Sequence, residues 1–170
     1  MITEITDYTV YLVVMKITIL TIGKEHDKNI VKAIEDYCTR LKHYTKLEWN
    51  IVDVPTASSM NEKQVRDVQS EALLGKIKED DLVILLDEKG SEIDSIVLAK
   101  KIQGYINRST ESIVFIIGGA YGVNNQLTSK AHFVWSLSSL VFPHQLVRLI
   151  LVEQLYRAHT IMAGEKYHHK

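Results

Sequence analysis

Apolar positions along this chain recur at two spacings, and the switches between them mark out the elements. Ile17–Ile22 is an apolar-rich run closed by Gly23 and predicts a strand. From Asp27 to about Lys42, Ile30, Ile34, Tyr37, Cys38 and Leu41 fall at i, i+4, i+7, i+8 and i+11, one face of a helix. Leu47, Trp49 and Ile51 then alternate, so Leu47–Val54 predicts a strand ending at Pro55. Ser59 with Glu62 fits a capping box, opening a helix that carries Val65, Val68, Ala72 and Ile77 on one side.

The run DLVILLD, Asp81–Asp87, is short and continuously apolar, as expected of a strand buried on both faces. A helix follows at Ser95–Asn107, then a strand at Ser112–Ile117. A short helix at Asn124–Lys130, a strand at His132–Leu137 and a long helix from Pro143 to about Met162 complete the series. Strands alternating with helices imply an α/β fold, a parallel-rich sheet with helices on both faces. Ligands in such sheets bind outside the carboxyl ends of the strands. Three loops therefore converge on the expected pocket: Asp87–Gly90, Gly118–Gly122 and Ser138–Phe142.

A length of 170 residues suits one domain. The formal net charge is −1, so no global field draws the chain to naked nucleic acid or to a membrane. The single cysteine, Cys38, excludes an internal disulfide and a multi-cysteine zinc site, and is ordinary in a cytoplasmic protein. The opening stretch MITEITDYTVYLVV lacks a basic region and a small-residue cleavage site, and is too short to span a membrane. It is read as an extension, residues 1–14, from an upstream start or an expression remnant. Residues 15–170 then form the single functional domain.

Within VFIIGGAYGVN, the glycines at 118, 119 and 122 do not make a dinucleotide fingerprint, which would need glycine at Ala120 and Val123. No Gly-Lys-Ser/Thr follows, so there is no P-loop either. On pattern alone this is a strand-to-helix turn. VILLDEKG resembles the phosphoacceptor strand of a receiver domain, but the acidic pair after the first strand and the lysine after the last are missing.

In the segment WSLSSLVFPHQLVRLILVEQLYRAHTIMAGEKYHHK, Pro143 suits the first turn of a helix that is apolar on nearly every side. His144, Arg148, Val152, Leu155 and His159 form one stripe, and Glu153 and Arg157 are spaced for an i, i+4 pair. Such a helix is buried on more than one side, either inside the domain or against a second copy. The histidines show no convincing spacing to carboxylates or cysteine, so no metal is expected.

FIIGGAYG, then WSLSSLVFPHQLVRLILVEQLYRAHTI, then a terminal YHHK, resembles the RlmH family of SPOUT-class methyltransferases, from Met15 to Lys170. The resemblance implies a SPOUT-type α/β fold whose C-terminal part is threaded into a trefoil knot. It implies S-adenosyl-L-methionine as cofactor, held by Leu86, Gly118, Leu137, Ser138, Ser139, Leu140, Val141 and Phe142. It implies a homodimer in which the tail of one subunit reaches the cofactor pocket of the other. The implied reaction methylates N3 of pseudouridine in helix 69 of 23S rRNA, on the assembled 70S ribosome in the cytoplasm. A near-zero charge agrees with a shaped, assembled substrate rather than free RNA.

The N3 imide proton must leave during such a transfer. The expected catalytic residues are His168 as proton acceptor, with Tyr167, Arg148 and His144. Arg157, Glu153 and His169 are expected substrate contacts; the family often has arginine or lysine where this chain has His169. The alternatives are a SPOUT methyltransferase acting on tRNA and a nonenzymatic nucleotide-binding or sensor module.

Overall fold

The computed structural model describes residues 15–24 and 27–166. The chain runs β1 (Lys16–Ile22), α1 (Lys28–Leu41), β2 (Lys46–Val52), α2 (Glu62–Leu74), β3 (Leu82–Glu92), α3 (Ser95–Asn107), β4 (Ser112–Ile117), α4 (Asn125–Lys130), β5 (Phe133–Ser136) and α5 (His144–Met162). The five strands form one parallel sheet in the order β2-β1-β4-β3-β5.

Alternation along each strand divides the core in two. Ile17, Ile19, Ile84, Ile113 and Phe115 face α1, α3 and α5, while Leu20, Val83, Leu85, Val114 and Ile116 face α2 and α4 through Leu73 and Leu127. The helices thus cover both faces, and every strand ends toward the same edge. Short polar side chains start the helices. Asp27 accepts from the Asn29 and Ile30 N–H groups, and Asp94 from Val97 N–H, satisfying donors that have no partner inside the helix.

Several boundaries differ from expectation. The capping box forms at Asn61 and Gln64, not at Ser59 and Glu62. Asn caps as strongly as Ser, and the Gln64 amide returns the bond. Gly75 then ends α2, leaving Ile77 beyond the helix but packed beside the same core. Pro143 stands at the N-cap of α5, not inside its first turn.

β3 differs as well: it continues to Glu92. Leu86 and Ser91 both pair with Trp135, so residues 87–90 loop out of the ladder between them. The expected Asp87–Gly90 loop is therefore an excursion within one strand. Asp87 closes it by accepting from the Lys89 N–H at 2.9 Å.

α5 packs against both α1 and α3, and no residue from Gln145 to Met162 is exposed. Its apolar circumference is thus in large part answered within one chain. His159 is buried on this helix, with Nδ1 2.8 Å from the Leu155 carbonyl, and burial holds its pKa below the usual value. The tautomer at that contact carries its proton on Nδ1, since a carbonyl can only accept.

Candidate active site

A cavity of about 490 Å³ opens at the carboxyl edge of the sheet. Its walls come from the three predicted loops: Leu86–Lys89, Ile117–Val123, and Trp135–Phe142 without Ser139. Its size is that of a small-ligand site. Of the expected cofactor contacts, Leu86, Gly118, Leu137, Ser138, Leu140, Val141 and Phe142 line it. Ser139 does not.

The glycine loop is tight for its own reasons. A Cβ on Gly118 would stand 2.8 Å from Val123 Cγ1 and 3.3 Å from the Gly122 carbonyl, and Gly122 has φ +71°. The loop doubles back on itself, with Gly122 N–H donating to Gly119 O at 2.9 Å. Its glycines serve first to fold the loop, and that fold brings the loop's backbone to the cavity wall.

On the opposite wall, Ser136 Oγ donates to the Ser138 carbonyl at 3.0 Å, and Ser138 Oγ accepts from Leu140 N–H at 3.0 Å. These bonds hold the loop that presents Leu140 and Val141, which are 68% and 83% exposed.

The expected catalytic stripe separates in space. His144 lines the cavity and keeps an exposed edge. Burial of the rest of the ring, with the Arg148 guanidinium beside it, holds its pKa below the usual 6.5. It is therefore neutral near pH 7. Arg148, one turn later, points elsewhere: Nε donates to Thr21 Oγ1 at 3.0 Å, Nη2 to Ile22 O at 2.8 Å and Nη1 to Lys24 O at 3.2 Å. It is 2% exposed and ties α5 to the end of β1 rather than lining the cavity.

Glu153 and Arg157 form the i, i+4 pair, with Arg157 Nε 3.0 Å from Glu153 Oε1. Glu153 Oε2 also accepts from Gln154 Nε2 at 2.7 Å, and Gln154 Oε1 accepts from Ser95 Oγ at 2.6 Å. This network faces α3, apart from the cavity lining. Tyr167, His168 and His169 lie outside the described residues. Just before them, Tyr44 Oη donates to Glu165 Oε1 at 2.7 Å, which pushes the Tyr44 phenol up to about 12.

Sequence reasoning missed Arg66, Tyr121 and Trp135, all of which line the cavity. Trp135 Nε1 and Arg66 Nε are shut off from solvent without a hydrogen-bond partner among the described residues. Both residues border the cavity through other atoms, since these two nitrogens are closed to the solvent that fills it. No group of His, Cys, Asp and Glu among the described residues could hold a metal, and no described helix is long and apolar enough to cross a membrane.

Residues 15–168 match the family model described as "Predicted SPOUT methyltransferase". The chain belongs to the SPOUT methyltransferase family. It is a methyltransferase. Within SPOUT, its relatives are of the RlmH type. The ribosomal RNA large subunit methyltransferase H of Acetivibrio thermocellus is 40% identical over 160 residues, covering 91% of this chain and 99% of that one. The protein of the same name from Flavobacterium psychrophilum is 38% identical over 157 residues, covering 92% and 100%. A probable methylase family protein from Haemophilus influenzae superposes with a TM-score of 0.52 over 89% of this chain and 67% of that one. At 17% identity that likeness speaks to the fold alone.

Proposed function

We propose that this chain transfers a methyl group from S-adenosylmethionine to N3 of a pseudouridine in helix 69 of 23S rRNA, on the assembled 70S ribosome. The observation that carries the reading is the cavity at the strand ends, walled by the loops that the family resemblance assigns to the cofactor. Relatives named for large-subunit rRNA methylation, aligned over nine-tenths of the chain, support the rRNA substrate. The formal charge of −1 favours an assembled surface over free RNA.

Leu86, Gly118 and the loop after β5 would hold the cofactor, knotted as in other SPOUT enzymes. When bound, it supplies an electrophilic methyl group on a sulfonium. The chain's own task is to fix the pseudouridine in line and to accept the N3 proton. His144 fits the second role, because it borders the cavity and is held neutral. Its exposed edge gives the proton a route to water. Assigning the acceptor to His144 and not to His168 rests on that placement. Tyr167 and His168 are kept for positioning the base, with His169 beside them. They would arrive from a second subunit, whose surface would also cover Leu140 and Val141.

Two measurements test these roles. The turnover of the unaltered enzyme should fall on the acid side below pH 6.5, where His144 gains a proton. His144→Gln should lose about 100-fold in kcat and lose that limb. A variant that keeps the rate and the limb returns the role to the tail. Removing residues 167–170 should lower kcat by at least about 10-fold through lost positioning. Unchanged turnover would remove the tail from the site.

A further inference from the structure

We propose that Arg66, on α2, receives the methionyl carboxylate of the cofactor. This rests on the methyltransferase reading above and adds to it an anchor from outside the three strand-end loops. Arg66 lines the cavity, and its Nε meets neither solvent nor an acceptor among the described residues. A guanidinium carries five N–H donors in a planar fork, and a carboxylate engages two of them side by side. Nε itself is closed off from the open cavity, so Arg66 borders it through the rest of its side chain, and the carboxylate would meet the fork from that side.

The platform beneath Arg66 is fixed. One turn further along α2, the buried Ser70 Oγ accepts from Asn124 N–H at 2.9 Å, tying the helix to the end of the glycine loop. Gln69 lies against that loop so closely that a Cβ on Gly119 would stand 2.1 Å from its Oε1. α2 therefore holds Arg66 at a set height over the glycine loop.

The other charges at the cavity suit a buried anion less well. Lys89 is exposed, so water already satisfies it. Asp87 is turned into its own loop by the bond from Lys89 N–H. A phosphate of the RNA would stay at the mouth with exposed groups, whereas Arg66 is half-buried on the cavity wall.

The test compares S-adenosylhomocysteine, which has the carboxylate, with 5′-methylthioadenosine, which lacks the amino acid end. Binding is measured by calorimetry on the full chain, unaltered and as Arg66→Met and Arg66→Lys. The expected result is a loss of roughly 10- to 100-fold for S-adenosylhomocysteine in Arg66→Met. Methylthioadenosine should bind both proteins within about 2-fold of each other, which also shows that the variant is folded. Arg66→Lys should recover part of the loss, since it keeps the charge but not the fork.

Equal weakening of both ligands, or of neither, overturns the proposal. So does unchanged cofactor affinity with a raised KM for ribosomes, which would move Arg66 to an RNA phosphate. An unaltered protein that binds neither nucleoside would instead overturn the methyltransferase site itself.

Discussion

Replacing Arg148 with leucine is expected to destabilise the fold by about 3–5 kcal/mol, the scale of two or three buried acceptors left unpaired at about 1–3 kcal/mol each. The guanidinium of Arg148 reaches three acceptors at the end of β1: the Thr21 hydroxyl and the carbonyls of Ile22 and Lys24. Leucine would leave all three without that donor, two of them where water cannot readily replace it. Lysine would rescue little, because one ammonium cannot span the positions that a planar fork reaches. The measurement is urea unfolding of both variants beside the unaltered protein. Because Arg148 braces the site without lining it, a variant rescued at low temperature should keep its acid limb, moved to higher pH because the guanidinium no longer helps hold the His144 pKa down. A profile that loses its acid limb while stability is unchanged would make Arg148 part of the chemistry.

Gly90→Ala is the second large effect expected, at about 3 kcal/mol, or roughly 5–10 °C in the melting temperature. A Cβ there would stand 2.7 Å from the carbonyl carbon and oxygen of Val134 and 2.8 Å from Ser136 N. Those are backbone atoms of β5 and cannot turn aside as a side chain would. To admit the methyl group, β3 and β5 must part just where the Asp87–Gly90 excursion rejoins the ladder. Trp135 and the loop after β5 would move with them, so S-adenosylhomocysteine affinity should fall by at least about 10-fold. Gly75→Ala is the comparison: its Cβ would meet nothing closer than 3.6 Å, and its φ is −64°. That change should be neutral or stabilising by about 0.5 kcal/mol. Equal melting temperatures for the two variants would refute the packing argument.

The legible parts of the fold were those in which local pattern and burial agree. β1 and β4 read directly as strands because runs such as Ile17–Ile22 and Ile113–Ile117 are buried on both faces and need no partner to be recognised. The strand ends placed the cavity before any side chain was located. The second half of β3 was not legible: DEKGSE carries no apolar signal, and backbone pairing with β5 beyond the excursion makes Ser91 and Glu92 part of the strand.

Arg66 escaped for a related reason. It sits in the charged stretch EKQVRD, which reads as a solvated helix face, and only the Ser70–Asn124 bond and the packing of α2 on the sheet turn it toward the cavity. The stripe from His144 to His159 was legible as a stripe, but its destinations were not. One turn of helix separates a residue on the cavity wall from one anchoring β1, and that difference depends on where α5 crosses the end of the sheet.

Methyl transfer from radiolabelled S-adenosylmethionine to 70S ribosomes lacking the modification tests the proposed reaction most directly. Separated subunits and naked rRNA run in parallel, and the product is read by nucleoside mass spectrometry. Label is expected in N3-methylpseudouridine, from 70S ribosomes and not from free rRNA. Measurable cofactor binding without label in any ribosomal substrate would contradict the proposed reaction.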